Sequence, residues 1–357
     1  MTQARRIGRK TRIALFTALA LVLILGIGIV WLAQDDDVPM TFDEAMAKAK
    51  RGDPVGEYNV GVMYEIGNGV ERNIDEAVKW YRRAADQGDS SAQNNLGTLY
   101  EDGTGVPQSA SEAVGWYRRS AAQGNASAWG NLGRAYEDGR GVPQDLAEAV
   151  RFYRRAAEHG SAKGQLFLGM MYDDGKGVPQ DYAEAAKWYR RAAEQDNPKA
   201  QNSLGYLYDV GHGVRQSDTD AFNWYRRAAE QGNANAQNNL GLMYENGQGV
   251  RKDAAEAVSW YRLAAEQGIA SSLFHLGLMY YSGSGVDYDP IAANALFGLA
   301  AAAGHTRAQA YLDQGAKLTA PADIEKAAKL KAAMSRPGKL LDALDHYEET
   351  AQRSDGG

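Results

Sequence analysis

The chain has 357 residues, no cysteine, 40 glycines and a net charge of −6, and its 20 tyrosines far outnumber its 7 phenylalanines. The missing cysteine excludes disulfides, cysteine-ligated metal sites and thiol catalysis. The first twelve residues carry Arg5, Arg6, Arg9, Lys10 and Arg12 and no acid, which leaves residues 35–357 with 34 basic against 45 acidic groups, a net of −11; a body this acidic repels phosphate backbones, so no nucleic-acid partner is expected.

From the N-terminus, residues 13–31 read IALFTALALVLILGIGIVW without a charge. At a rise of about 1.5 Å per residue this stretch spans a hydrocarbon core of about 30 Å. The basic cluster precedes it and Asp35, Asp36 and Asp37 follow it. The positive-inside rule then predicts a cytoplasmic segment at 1–12, a transmembrane helix at 13–33 and a periplasmic body on a bacterial inner membrane. Cleavage as a signal peptide is the alternative and would give a secreted or periplasmic protein. It fits less well, because signal cores usually run to roughly 7–15 residues and bulky Trp31 sits at −3 of the nearest cleavage site. Residues 34–57 read as a linker and an N-terminal capping helix. Within them TFDEAMAKAKRG places Thr41 and Glu44 as a T-x-x-E capping box.

Next comes a repeat. Gly61, Gly97, Gly133, Gly169, Gly205, Gly241 and Gly277 are spaced by 36, and Tyr64, Tyr100, Tyr136, Tyr172, Tyr208, Tyr244 and Tyr280 follow each by three. Glycine pairs such as Gly103/Gly105 recur in every unit. A phosphate-cradling loop is normally single and follows a strand, so seven glycine turns behind helical patterns are architecture. In the second unit Ala92, Leu96, Leu99 and Tyr100 share one face of a helix A over about 91–101. A glycine inside that helix costs about 1 kcal/mol relative to alanine, which predicts that something approaches it closely.

Helix B of each unit opens at Asn73, Ser109, Asp145, Asp181, Ser217, Asp253 and Asp289, all good N-caps, with an acid three residues on in six units. It stops at glycines such as Gly88 and Gly124; Asp196 departs from that rule, with Pro198 as a substitute stop. The recurrent WYRRAA reads as inter-helix packing with solvated arginines paired to acids.

The pattern A-x-x-x-L-G-x-x-Y-x-x-G-x-G-V followed by E-A-x-x-W-Y-R-x-A-A-x-x-G resembles the Sel-one-like repeat family, relatives of tetratricopeptide repeats. The resemblance covers residues 58–309 in seven units. It implies an all-α fold, an α-solenoid of stacked antiparallel helix pairs, and a binding scaffold rather than an enzyme. Some cysteine-rich relatives bind or hydrolyse β-lactams; this cysteine-free chain departs from them. The seventh unit degenerates, with Leu296, Phe297 and Gly298 in place of WYR. Residues 310–334 are expected as C-terminal capping helices, 322–334 most clearly. Residues 335–357 are expected as a partly disordered tail with a short amphipathic helix through Leu340, Leu344 and Tyr347.

No motif points to chemistry. His159, His212, His275, His305 and His346 fall at different repeat positions, so no pair is expected together. No cofactor or metal is implied. Stacked helix pairs offer an extended concave face. There the position two before the helix-A glycine is Asn59, Asn95, Asn131, Phe167, Ser203, Asn239 and His275, a candidate partner-binding ladder whose amides both donate and accept. The expected function is a membrane-anchored periplasmic protein–protein interaction scaffold or adaptor with partners in the cell envelope. A peptidoglycan or glycan binder using Trp129, the tryptophan outside the WYR slot, is the alternative; a β-lactam hydrolase and a host-interaction factor rank below it.

Overall fold

Every regular element among the described residues is an α-helix. In this computed structural model the described residues are 40–318 and 320–354. The segment 1–12 and the transmembrane helix predicted at 13–33 lie outside them, and no described helix is long and apolar enough to cross a membrane. A leading helix α1 (Phe42–Lys50) is followed by seven A/B pairs: α2 (Pro54–Ile66) and α3 (Ile74–Asp86), α4 (Ser90–Asp102) and α5 (Ala110–Ala122), α6 (Ala126–Asp138) and α7 (Leu146–Glu158), α8 (Ala162–Asp174) and α9 (Tyr182–Glu194), α10 (Pro198–Val210) and α11 (Asp218–Glu230), α12 (Ala234–Asn246) and α13 (Ala254–Glu266), α14 (Ala270–Ser282) and α15 (Pro290–Ala302). The closing helices are α16 (Ala308–Leu318), α17 (Pro321–Met334) and α18 (Leu340–Ser354).

Each helix from α1 to α15 packs on the next, so every B helix of the first six units lies between its own A helix and the A helix of the following unit. The core is divided accordingly. Ala77, Val78, Tyr81, Ala84 and Ala85 of α3 bury against Ala92, Leu96 and Leu99 of α4, across a unit boundary. A unit alone would leave that face open, which is why repeats of this kind need neighbours and caps. At the start, Ala45 and Ala49 of α1 cover Val60 and Met63 of α2. At the end α17 turns back onto α15, and Leu330, Met334, Leu340 and Leu344 complete the last core. The segment expected as a partly disordered tail therefore supplies core residues through α18.

The caps explain where helices begin. All seven expected helix-B caps accept a hydrogen bond from the first turn, as Asn73 does from the Glu76 N–H at 3.1 Å. The reciprocal box closes at Thr41 and Glu44. On α3 and α9 the third-position acids turn outward to a lysine one turn on, Glu76 to Lys79 and Glu184 to Lys187, each at 2.6 Å. A second set of caps opens the A helices: Asp53, Asp89, Asn125, Ser161, Asn197 and Asn233. Pro198 belongs to this set as the first residue of α10, and does not stop α9. That stop is made by Asp196 itself, at φ +59, the one non-glycine residue with positive φ among those described, held by Arg227 at 2.8 Å. In the glycine turns, Gly103 takes φ +70 as the C-cap of α4, and Gly213 takes φ +67 where an added Cβ would strike the backbone of Tyr182 in the preceding B helix. The turns are therefore packing points between units.

Ile269 opens α14 with no side-chain cap. Ile269→Asn should raise the urea midpoint by the equivalent of about 1 kcal/mol, and Asn233→Ala should lower it by a similar amount. An unchanged or lowered midpoint for Ile269→Asn would show that its apolar contacts matter more than the cap.

Candidate interaction surface

The surface is positioned by one recurrent contact. The helix-A glycine lies under the ring of the helix-B tyrosine in the same unit. A Cβ on Gly61 would stand 2.7 Å from Tyr81, and on Gly97, Gly133, Gly169, Gly205 and Gly241 it would stand 2.5–2.8 Å from Tyr117, Tyr153, Tyr189, Tyr225 and Tyr261. Those tyrosines are fully or almost fully buried. Their hydroxyls reach the end of helix A, where Tyr81 donates to Glu65 (2.5 Å), Tyr117 to Glu101 (2.7 Å), Tyr153 to Glu137 (2.6 Å), Tyr189 to Asp173 (3.0 Å) and Tyr261 to Glu245 (2.6 Å). Burial first, and then the facing carboxylate, pushes the Tyr81 hydroxyl's pKa far up, so it remains a donor. In the seventh unit Phe297 sits over Gly277, and Tyr281 stands at the acid's repeat position, so both partners of the hydrogen bond are gone together.

Two further links join units. The first arginine of WYRR donates to the helix-A tyrosine of the next unit: Arg82 to Tyr100 (2.7 Å), Arg118 to Tyr136 (3.0 Å), Arg154 to Tyr172 (2.6 Å), Arg190 to Tyr208 (2.5 Å) and Arg262 to Tyr280 (2.9 Å). At the remaining junction Arg226 instead lies over Phe222, and Tyr244 packs edge-on to the same ring. Tyr64, with no preceding unit, meets Phe42 of α1 edge-on. The second arginine stacks on the tryptophan three residues earlier, as Arg83 does on Trp80 at 4.6 Å.

Deeper, a glutamine relay runs along the stack. Gln93 donates to the carbonyl of Ala85 in the preceding B helix and accepts from Gln123 (2.8 Å). The same two bonds recur at Gln165/Gln195, Gln201/Gln231 and Gln237/Gln267. The third unit puts Trp129 and His159 at these two positions, and their rings meet at 4.5 Å. Trp129 is 7% exposed and belongs to the core. The glycan platform expected from it is therefore absent, and no tryptophan is exposed among the described residues.

The ladder proposed from sequence lies half-buried along the A helices. Two of its amides donate across units to the asparagine just before the preceding ladder position, Asn131 to Asn94 (3.0 Å) and Asn239 to Asn202 (3.3 Å). Asn59 and Asn95 are half-buried members of the same row, and Ser203 lies beside the Tyr189 hydroxyl. Phe167 packs on Tyr153 at 5.0 Å, with the Lys163 ammonium 5.9 Å over its ring. His275 stacks on Tyr261 and stands 3.4 Å from Glu245. Next to the departures at Phe167 and Ser203, Met170 (40% exposed) and Tyr206 (48%) open an apolar strip. Beside it lie Arg134, Lys163 and Lys199. Desolvation, then repulsion from Arg134, lowers the Lys163 pKa against the attraction of Glu101, and Lys199 adds to the lowering. Arg134 is paired with Glu101 at 2.8 Å, whereas neither lysine has an ion-pair partner among the described residues. This apolar and basic combination was not visible in the repeat pattern, because it arises at the positions where units differ.

The histidines are less scattered than their sequence positions suggest. His275 and His305 both flank Phe274, edge-on at 5.8 Å and stacked at 4.1 Å. Among the described residues no group of three or more His, Cys, Asp or Glu side chains gathers to hold a metal ion.

Stacked A/B helix pairs sharing one core per junction define an α-solenoid, a class that presents long faces to partners. The chain belongs to the Sel1 repeat family, which matches residues 54–89, 90–125, 130–161, 162–197, 198–233, 234–269 and 270–305. It is 33% identical to a Sel1 repeat protein from Oxalobacter formigenes whose crystal structure aligns at a TM-score of 0.61, over 76% of this chain and 79% of that one. A protective antigen of uropathogenic Escherichia coli with an SLR fold is 29% identical over 97% of this chain and 88% of that one, at a TM-score of 0.40. A sel1-like repeat-containing protein of Acanthamoeba polyphaga mimivirus is 46% identical over 39 residues, 11% of this chain; the chain spans 7% of that relative's length. Repeats of this family are generally protein–protein interaction scaffolds.

Trp129→Gln and His159→Gln should be coupled. The double variant rebuilds the glutamine pair, and a double-mutant cycle in urea should give an interaction energy of about 0.5–1.5 kcal/mol, whereas strict additivity would show that the two rings do not act as a pair. Contact with His275 holds the Glu245 carboxyl below the usual carboxylate range, against burial, and the Tyr261 hydroxyl adds to the lowering. Its stabilisation is then present above the unfolded pKa and lost as the pH falls through the lower folded value. Glu245→Gln should therefore be destabilised relative to wild type at neutral pH, and that gap should close between about pH 5 and about pH 3.

Proposed function

We propose that the chain is a membrane-anchored scaffold that holds a protein partner in the cell envelope through the A-helix face of its fourth and fifth units. The observation that carries this reading is the exposed Met170–Tyr206 strip beside Lys163 and Lys199, neither of which has an ion-pair partner among the described residues. Apolar side chains left in water next to lysines that no described carboxylate pairs directly favour a partner segment with apolar and acidic residues. The flanking amide ladder adds donors and acceptors for that segment's backbone. Anchoring is supported by the uncharged stretch at residues 13–31 and the basic cluster before it. It would raise the local concentration of the solenoid around inner-membrane partners without any new contact. The reading is of binding without catalysis, since the chain's recurrent polar groups are engaged in caps and inter-unit bonds.

In-cell crosslinking of tagged full-length protein should recover one dominant envelope protein. Replacing Phe167, Ser203 and His275 by asparagine together with Met170→Glu should abolish that crosslink while the helical content is kept. A crosslink unchanged by these substitutions would place recognition elsewhere. A chain starting at residue 38 that fully complements a deletion strain would overturn the anchoring part.

A further inference from the structure

α18 fills one member of a repeated groove. At the sixth junction Arg262 donates to the Tyr280 hydroxyl (2.9 Å), and Asp345 and Glu348, one turn apart on α18, close over it. Arg262 pairs with both carboxylates, at 3.2 Å for Glu348, and the Tyr280 hydroxyl donates to Glu348. Glu266 accepts from the Leu341 N–H (2.7 Å) at the start of α18, the Tyr347 hydroxyl reaches Asp289 (3.4 Å), and Leu340 and Leu344 bury in the core. The groove thus takes an amphipathic helix by its acidic pair and its apolar edge.

The same elements recur two units earlier, and among the described residues no helix lies over them as α18 does. Arg190 donates to Tyr208, and with Arg215, Ser217 and Asp220 they border an open groove of about 480 Å³. Arg190, Tyr208 and Ser217 hold the repeat positions of Arg262, Tyr280 and Asp289. Neither Arg190 nor Arg215 has an ion-pair partner among the described residues. A tyrosine-bonded arginine combined with a second arginine singles out this junction. Arg215 stands where three preceding units have Pro107, Pro143 and Pro179, and Ser217 stands where the two preceding units have Asp145 and Asp181; the next unit repeats the second arginine as Arg251, but there Arg226 lies over Phe222 instead of bonding the helix-A tyrosine.

We propose that the Arg190–Tyr208 groove binds an acidic amphipathic helix of a partner protein, with two carboxylates about one turn apart set against Arg190 and Arg215 as Asp345 and Glu348 are set against Arg262. Each chain's own α18 is already held at the sixth junction, so the occupant comes from another protein. Charge-assisted pairing to guanidinium gives the specificity and the apolar edge gives contact area. The inference rests on the reading of the chain as a protein-binding scaffold and adds a second face to it.

The probe is a fluorescent peptide with the sequence of residues 339–354, titrated onto full-length protein in detergent and followed by anisotropy. Saturable binding is expected, weakened at least tenfold by Arg190→Glu with an unchanged thermal melt, and lost when the peptide carries lysine in place of both acids. Arg82→Glu, at a junction without the extra arginine, should leave it unchanged. Binding that is lost in Arg262→Glu but kept in Arg190→Glu would mean exchange at the capping site and would overturn the proposal, as would the absence of saturable binding. If no peptide binds but the crosslinked envelope partner persists, the groove assignment fails and the scaffold reading stands.

Discussion

An aromatic ring laid on a bare stretch of helix backbone sets the geometry of this solenoid. Helix A gives up about 1 kcal/mol of helix propensity for each interior glycine, and in return the tyrosine ring of helix B reaches the backbone at a distance that a methyl group would forbid. The ring fixes the spacing and rotation of the pair. Its hydroxyl then fixes the axial register by reaching the carboxylate at the end of helix A. A hydrogen bond to a charged acceptor contributes about 1.5–3 kcal/mol. Once A and B are set, the B-helix arginine and the glutamine relay set the next A helix.

Exceptions that lose a bond come in pairs. Where the seat holds Phe297 instead of tyrosine, Tyr281 stands in place of the acid. Where the relay loses its bond, both sides change, to Trp129 with His159 at the third unit and Leu273 with Ala303 at the last, whereas Glu57 at the first unit changes alone and still accepts from Gln87 at 2.5 Å. A buried polar group without its partner costs about 1–3 kcal/mol, so a change on one side is tolerated when the other side changes with it. The surface positions carry no such constraint. Met170, Tyr206, Lys163 and Arg215 vary singly, and they are the residues on which partner recognition is placed.

Much of the fold was legible because each physical cause repeats every 36 residues. The helix-A glycine announced a close approach, and the N-cap residues marked each helix B. The A-helix caps were equally regular at Asp53, Asp89 and Asn125 and could have been read by the same rule. The glycine's partner was harder to identify, since the tyrosine lies 20 residues away on another helix. The core position of Trp129 was not legible at all, because it depends on a contact with residue 159 that only the stacking reveals. The docking of α18 pairs residues separated by 83 and 86 positions outside the repeat period, and no pattern in the chain encodes it.

The ring-on-glycine contact is tested most directly by a double-mutant cycle at Gly133 and Tyr153 in urea. Gly133→Ala should destabilise the protein by about 1–3 kcal/mol through overpacking against the ring. In a Tyr153→Leu background the same substitution should be close to neutral or stabilising, because helix propensity alone then remains. An equal cost in both backgrounds would contradict the account and show that the glycine serves something other than the tyrosine ring.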